Sequence, residues 1–303
     1  MCIRDSLGSC SLGDAGTKSL MQIICRSVDP HSTANTHLTI SLGYNEIHEE
    51  GAAHIAAVLN RTGIVSTLLL LLNPIGDKGL QTIFDAIKQN NTLKYLDVGY
   101  CGMTDTGVAS LADALHTNNT LVIVGINRNL LGDRGIAFLS GALKQNVTLK
   151  YLHIAKCGMT DTGVASLADA LHTNNTLVIV GINRNLLSDR GITFVSGALK
   201  QNVTLKYLHV AKCGMTDSGV ALLADALHTN KTLETLRING NDALTENGLT
   251  CLVEVLSRNS GLAELVLPRH LRSSVDQMKK TINEARKRSG LATINVMGKY
   301  CER

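Results

Sequence analysis

Two patterns of apolar and polar positions alternate along the chain. In LKYLDVG, the apolar Leu96 and Val98 alternate with polar or small residues, which is the period of two expected of a short strand with one buried face. In TDTGVASLADALH, the apolar residues follow the i, i+3, i+4, i+7 spacing of an amphipathic helix, at Val108, Leu111, Ala112 and Leu115. Thr104 or Asp105 is placed to cap this helix. The pattern therefore predicts a strand followed by a helix.

The strand and helix pattern recurs with a period of 28 residues. The stretch GMTDTGVASLADALHTNNTL occurs twice, beginning at Gly102 and at Gly158. A spacing of the form LxxLxLxxN/C marks each repeat, and its first position is occupied by His37, Val65, Leu93, Leu121, Leu149, Leu177, Leu205 and Leu233, with a slightly longer step to Leu262. A fixed period between about 20 and 50 residues indicates a solenoid, because no single repeat can bury its apolar face alone.

Stacking of the repeats predicts the architecture. Parallel strands lie about 4.8 Å apart, whereas neighbouring helix axes need about 10 Å, so the helical side must fan outward. The expected fold is an α/β solenoid curved like a horseshoe, with parallel strands on the concave face and helices on the convex face.

The repeated residues resemble the leucine-rich repeats of the ribonuclease-inhibitor type. Repeats of that family carry LxxLxLxxN/C followed by a helix of the form GxxxLxxAL, and the resemblance extends over residues 7–267. It implies a recognition module or regulator that binds another protein. Ribonuclease inhibition itself is not expected, because those inhibitors are far richer in Cys and carry concave Trp, whereas this chain has no Trp.

The amino-terminal end departs from the repeat. Residues 1–6 would need apolar side chains at Cys2 and Asp5 to form a buried strand, and they are interpreted as a non-native or truncated leader. The repeat array is assigned to residues 7–267. An excess of seven residues before the next repeat predicts a surface loop that contains Asp29 and Pro30.

The carboxy-terminal segment, residues 268–303, is predicted to cap the array. A longer charged helix is expected from Leu271 to Arg288, followed by a terminal strand in LATINV. The segment is basic at Lys279, Lys280, Arg286, Lys287 and Arg288. Two interpretations of this basic cluster stay open at this point, a solvated cap and a nuclear-import signal.

Composition and charge limit the classes of partner. The net charge of +4 is too small to predict binding to nucleic acid or to an anionic membrane. No run of eighteen apolar residues is present, and the first residues lack the apolar core of a signal peptide. An intracellular location, cytoplasmic or nuclear, is therefore expected.

Several recurrent residues are interpreted as structural. Cys101, Cys157 and Cys213 recur every 56 residues without a metal-ligand spacing, and neighbours among them are about 10 Å apart by strand spacing, too far for a disulfide. An Asn-x-Thr triplet follows each helix, where Asn is expected to end the helix in a left-handed conformation, at Asn90, Asn118, Asn146, Asn174, Asn202 and Asn230.

Nothing in the sequence predicts catalysis. The chain lacks the phosphate-binding, nucleophile-elbow, zinc-protease and dinucleotide motifs, and the recurrent His116, His172 and His228 each end a helix without a nucleophile nearby. No cofactor, metal or small-molecule substrate is expected.

The outward positions of the strands supply the candidate binding site. Alternation aligns them in three rows. The first row runs Tyr95, Ile123, Tyr151, Ile179, Tyr207, Thr235. The second runs Asp97, Gly125, His153, Gly181, His209, Arg237. The third, at the strand exits, runs Tyr100, Arg128, Lys156, Arg184, Lys212, Gly240. Four consecutive cations about 5 Å apart repel one another, so they favour an acidic protein partner, with Tyr side chains as anchors.

The sequence thus favours a non-enzymatic scaffold that binds a protein on its concave face. A GTPase-activating protein similar to the Ran activators is the first alternative, weakened because those proteins carry an acidic segment after the repeats and this tail is basic. The second alternative is the sensor portion of a larger nucleotide-binding immune receptor.

Overall fold

The computed structural model describes residues 4–27 and 37–298. Short strands alternate with helices throughout this part of the chain. The strands are β1 (Arg4–Ser6), β2 (Leu38–Ser41), β3 (Val65–Leu69), β4 (Tyr95–Asp97), β5 (Ile123–Gly125), β6 (Tyr151–His153), β7 (Ile179–Gly181), β8 (Tyr207–His209), β9 (Thr235–Arg237), β10 (Glu264–Leu267) and β11 (Asn295–Gly298).

Each strand except the last is followed by a helix. The helices are α1 (Gly13–Ser27), α2 (Glu49–Thr62), α3 (Gly76–Gln89), α4 (Asp105–Thr117), α5 (Gly132–Leu143), α6 (Asp161–Thr173), α7 (Asp189–Gln201), α8 (Asp217–Thr229), α9 (Glu246–Leu256) and α10 (Arg272–Arg288), with a 3-10 turn at Arg269–Leu271 before the last. The expected α/β solenoid of parallel strands and helices, with a period of 28 residues, is confirmed.

The chain divides into two compact units, Met1–His153 and Ile154–Arg303. In the first unit, β1 to β6 pair in parallel in sequence order. Leu96, Val124 and Leu152 are in register on adjacent strands and are fully buried. The helices of this unit pack against one another in the same order. The alternation that separates inward from outward residues is therefore confirmed for these strands.

The second unit has the same construction. Its strands β7 to β11 pair in parallel in sequence order. Val180, Leu208 and Leu236 are in register and buried. Helices α6 to α9 pack in sequence order behind them. Because the inward residues are aliphatic and of similar size, each repeat presents a matching apolar surface to the next.

The start of α4 is capped from two directions. Thr104 precedes α4, and its hydroxyl accepts the N–H of Thr106 at 3.3 Å, as predicted. Asp77, on the preceding helix, accepts the backbone N–H of Thr104 at 2.8 Å and its hydroxyl at 2.6 Å. A carboxylate near a helix N-terminus is favourable because the first N–H groups lack helical partners. The start of α4 is thus tied to the helix before it.

The Asn residues after the helices do not adopt the predicted left-handed conformation. Asn118 has φ −77° and ψ 123°, which is extended backbone. Its amide donates to the carbonyls of Ile87 and Asn90 in the preceding repeat, at 2.8 and 2.9 Å. Its carbonyl accepts the N–H groups of Thr120 and Leu121. Asn suits this position because its side-chain amide both donates and accepts hydrogen bonds, and a left-handed backbone plays no part.

The carboxy-terminal helix and strand are present, with shifted bounds. Helix α10 begins at Arg272, one residue after the predicted start, and β11 overlaps only the end of LATINV. Arg286 is 2% exposed. Its guanidinium donates to the carbonyls of Leu256 and Asn259, at 3.2 and 2.5 Å, where the next repeat would place an Asn amide. Arg286 therefore ties α10 to the preceding repeat, and the capping role of residues 268–303 stays a prediction.

Two expectations about the first residues stay as predictions. Arg4–Ser6, inside the segment interpreted as a leader, pairs with β2, although this does not test the origin of that segment. The expected loop at Asp29 and Pro30 lies outside the described residues.

Candidate protein-binding surface

The strand-exit residues share one backbone conformation. In the second unit, Lys156, Arg184 and Lys212 have φ values of 53°, 60° and 52°, in the left-handed region. Gly240, at the same position of the next repeat, has φ 72°. Since non-glycine residues adopt this conformation at a cost of about 1–2 kcal/mol, the cations occupy positions where glycine would be favoured.

Backbone hydrogen bonds hold these positions in a line. The N–H of Lys156 donates to the carbonyl of Asn183 at 3.0 Å, and the N–H of Arg184 donates to Ala211 at 2.8 Å. Lys212 continues the pattern by donating to Asn239 at 3.1 Å. Each row member therefore bonds to the residue just before the next member. We call Lys156, Arg184 and Lys212 the cationic exit row; its members are about 4.8 Å apart by strand spacing.

The cationic exit row presents charge to solvent. Lys156 and Lys212 are exposed, and Arg184 is half-exposed. A Cβ added at Gly240 would lie 2.6 Å from Cγ of Lys212, so the aliphatic stem of that lysine lies along the glycine. Leu186, two residues after Arg184, is 73% exposed. The edge therefore combines cations with an apolar side chain that a partner could cover.

The strand face of the second unit contains an aromatic and charged cluster. The rings of Tyr207 and His209 meet edge-to-face, with centroids 6.4 Å apart. Cζ of Arg237 lies 5.3 Å from the centroid of Tyr207. The guanidinium of Arg237 also contacts Glu264, with Nη2 to Oε1 at 3.5 Å. Arg237 is therefore partly neutralised within the chain, which distinguishes it from the exposed lysines of the exit row.

The strand face of the first unit has little net charge. Asp97 and His153 flank Gly125 in register, and the carboxylate of Asp97 accepts the N–H of Gly99 at 2.9 Å. Burial raises the pKa of Asp97, against the effect of that hydrogen bond and of His153. Burial lowers the pKa of His153, and Asp97 opposes this shift. Burial thus shifts the pKa values of both groups in the direction that favours their neutral forms.

Tyr95 and Tyr151 lie on either side of Ile123 in the same register and are half-buried. Burial raises the pKa of Tyr95, and the nearby carboxylate of Asp97 adds to the shift. The raised pKa keeps the phenol of Tyr95 protonated near neutral pH, so it can donate a hydrogen bond. This face therefore suits aromatic contacts with a partner.

The exit positions of the first unit include residues that the sequence interpretation missed. Tyr44 and Leu72 share the left-handed conformation of Tyr100 and Arg128, with φ between 55° and 60°. Tyr44 and Tyr100 are 55% and 53% exposed. The signal was present in the sequence, because each of these residues directly precedes the inward Asn or Cys of its repeat. The exit positions are thus mainly aromatic and apolar in the first unit and cationic in the second.

The recurrent cysteines are buried and reduced. Cys101 is fully buried, and its thiol donates to the carbonyl of Leu70 at 3.2 Å. Burial raises its pKa to about 12, so the nucleophilic thiolate is scarce. Within residues 4–27 and 37–298, no group of three or more His, Cys, Asp and Glu side chains is arranged to hold a metal ion. In the same ranges, no helix has the length and hydropathy needed to cross a bilayer.

Comparison with known proteins supports a leucine-rich-repeat family. Five stretches match the family described as Leucine Rich repeat, at residues 34–56, 89–112, 145–168, 201–224 and 229–253. No match was found among curated proteins.

Solved structures of similar fold include the actin-binding site 2 of leiomodin-1 and the Rad7–Elc1 complex of yeast. The leiomodin-1 structure is 15% identical with a TM-score of 0.39, and the match covers 61% of this chain and 92% of that one. The Rad7–Elc1 structure is 18% identical with a TM-score of 0.41, and the match covers 84% of this chain and 73% of that one. Neither similarity carries information about what this chain binds.

Proposed function

We propose that this chain is a non-enzymatic scaffold that binds a partner protein through its strand side, with an acidic surface of the partner on the cationic exit row. The observation that carries this proposal is the placement of Lys156, Arg184 and Lys212, one per repeat, at left-handed positions with exposed or half-exposed side chains. The fold would favour glycine there, so the cations serve something other than backbone geometry.

An acidic partner relieves the repulsion within the row. Like charges about 4.8 Å apart lie well inside the Debye length of about 8 Å at physiological salt, so they interact unfavourably in the free protein. Opposed carboxylates would convert that repulsion into attraction and speed association. Leu186 and Tyr207 provide apolar and aromatic contacts beside the charges, as interface anchors do.

The proposal also includes a closer resemblance of the repeats and of the tail to known proteins. The repeats are similar to the ribonuclease-inhibitor type, and the tail is similar to that of leucine-rich-repeat-containing protein 34. We include an intracellular site of action, cytoplasmic or nuclear, and no cofactor or small-molecule substrate. Arg286 cannot contribute to a nuclear-import signal in the tail, because its guanidinium is buried and bonded to the carbonyl of Asn259.

A pull-down from cell lysate tests the proposal. The unmodified chain and a Lys156→Glu, Arg184→Glu variant would be compared at low and moderate salt, with bound proteins identified by mass spectrometry. We expect the variant to lose acidic partners that the unmodified chain retains, while its thermal midpoint changes little. Retention of the same partners by the variant would refute a role for the exit row.

The control must reverse charges elsewhere without breaking an ion pair. Lys200, on the helical side, pairs with Asp225 at 2.5 Å, so its reversal would also create repulsion between carboxylates. Arg258 and Lys280 are exposed and lie away from the strand exits. Arg258→Glu with Lys280→Glu therefore gives a charge-matched control, which should keep the partners.

A turnover assay addresses the proposed lack of enzymatic function. Purified GTPases would be incubated with the chain and hydrolysis followed. Stimulated hydrolysis would replace the scaffold proposal with an activator of the Ran type, whereas binding without stimulation agrees with a scaffold.

A further inference from the structure

A cationic groove lies between α1 and α2 on the helical side of the first unit. Its volume is about 290 Å³. Met21 and Val58 are buried at its floor, with Cys25 and Ala57 beside them. Its rim carries cations on both helices, Lys18 and Arg26 on α1 and Arg61 on α2, with the imidazole of His54 beside them. None of the residues that line the groove belongs to the rows on the strand side.

No ion pair crosses the groove at the positions where Lys88 and Asp113 pair on α3 and α4. In the repeats of α3 and α4, Lys88 forms an ion pair with Asp113 across the two helices. Lys88 lies nine residues after Gly79 on α3, and Asp113 lies six residues after Gly107 on α4. Cys25 and Ala57 occupy the same two positions on α1 and α2. Two long charged side chains are thus exchanged for two short ones.

The rim cations have no carboxylate to balance them within residues 4–27 and 37–298. None of the four rim side chains has a salt bridge in this part of the chain. The nearby carboxylate of Asp14 is engaged by the N–H groups of His48 and Gly51, at 2.8 and 2.9 Å. The groove therefore combines an apolar floor with an excess of positive charge, which is complementary to an acidic amphipathic ligand.

We propose that the groove binds an acidic amphipathic helix of a partner protein. Lys18 and Arg26 are eight residues apart on α1, which corresponds to about 12 Å along the helix. Carboxylates two turns apart on a partner helix have nearly the same spacing. One apolar side chain between them would lie over the floor formed by Met21 and Val58. A volume of about 290 Å³ is at the small end for a ligand pocket, so it suits a side chain more than a free small molecule.

A labelled synthetic peptide tests this proposal by fluorescence anisotropy. The peptide is helical, with one Leu flanked on the same face by Glu one turn before and one turn after. We expect binding to the full chain to weaken at least about tenfold in Lys18→Glu with Arg61→Glu. The Arg258→Glu, Lys280→Glu variant should bind as the unmodified chain does. Absence of binding to the unmodified chain would overturn the proposal.

A second variant tests the groove itself without removing its cations. Cys25→Lys with Ala57→Asp would rebuild the ion pair seen between Lys88 and Asp113 and fill the floor. We expect the same fold by circular dichroism and at least a tenfold loss of peptide affinity. Undiminished affinity in this variant would overturn the proposal.

Competitors distinguish a helix-binding groove from a general anion site. A peptide with Leu replaced by Ser should bind more weakly, because the apolar contact is lost. Equal binding of that peptide, or equal displacement by inorganic phosphate, an oligonucleotide or vesicles of anionic phospholipid, would overturn the proposal. These assays change neither Lys156 nor Arg184. A negative result would therefore refute binding in the groove without refuting binding by the cationic exit row.

Discussion

Neighbouring residues on a strand have opposite environments, and their substitution should have unequal effects. Leu152 is fully buried and lies in register with Val124 on the adjacent strand, whereas Tyr151 faces outward and is half-buried. Leu152→Ala should lower the free energy of unfolding by about 2–5 kcal/mol, through lost burial and a cavity. Tyr151→Ala should cost about 1 kcal/mol. Urea unfolding measures both values, and equal losses would mean that inside and outside are misassigned.

The left-handed conformation of Lys156 gives a second prediction at the residue scale. Lys156→Gly should be at least as stable as the unmodified chain, since glycine adopts φ 53° without strain. Lys156→Val should be less stable by about 1–2 kcal/mol, because β-branched residues are strongly disfavoured there. Both changes remove the same charge, so thermal unfolding separates backbone strain from electrostatics. A Val variant as stable as the Gly variant would contradict the assigned conformation.

The inward and outward residues of the strands were predictable because alternation has a period of two. The left-handed exit positions were not, because no residue type at Lys156 or Tyr100 indicates positive φ and only Gly240 does so. The role of the Asn after each helix was also mispredicted. An Asn at a helix end is commonly left-handed, and its side-chain bonds to another repeat depend on stacking that local sequence does not specify.

At the scale of elements, Asn118 links two repeats. Its amide satisfies the carbonyls of Ile87 and Asn90, and its carbonyl caps the next strand. Asn118→Ala should leave buried polar groups without partners, at about 1–3 kcal/mol for each group. The adjacent exposed Asn119→Ala provides the control and should change the free energy of unfolding little. Denaturant unfolding measures the difference, and equal small effects would show that water replaces the side chain.

The carboxylates that cap helices make stability depend on pH. The hydroxyl of Thr245 is the main cause that lowers the pKa of Asp217 below its ordinary value of 3.8, helped by backbone N–H groups. A lowered folded pKa stabilises the folded state above pH 3.8 and loses that contribution as pH falls through the folded value. Asp217→Asn should therefore lose less stability than the unmodified chain on acidification through this range. Thermal unfolding at several pH values measures this difference, and parallel losses would contradict it.

At the scale of the whole molecule, an open solenoid depends on its caps. Arg286 ends the line of interrepeat side-chain bonds by donating to Leu256, Asn259 and Ala292. Arg286→Ala should increase hydrogen exchange in α10 and β11 while the repeats of the first unit stay protected. Arg288→Ala, which changes an exposed side chain, is the control. Uniform exchange throughout the chain would mean that Arg286 does not act as a local cap.

The helix and the strand within residues 268–303 were predictable from the loss of the repeat and the charged helical pattern. The part played by Arg286 was not, because it occurs within a run of basic residues whose helical positions alone do not separate buried from exposed. The division into cationic and aromatic exit positions could be read from the sequence once the residue before each inward Asn or Cys was aligned.

The salt dependence of partner binding tests the function of the cationic exit row most directly. For the protein most enriched in the pull-down, affinity would be measured from low to moderate salt against the unmodified chain, the Lys156→Glu, Arg184→Glu variant and the Arg258→Glu, Lys280→Glu control. We expect the exit-row variant to bind at least about tenfold more weakly at low salt and to lose most of its salt dependence, with the control unchanged. Equal affinity and equal salt dependence for all three proteins would contradict recognition by the exit row.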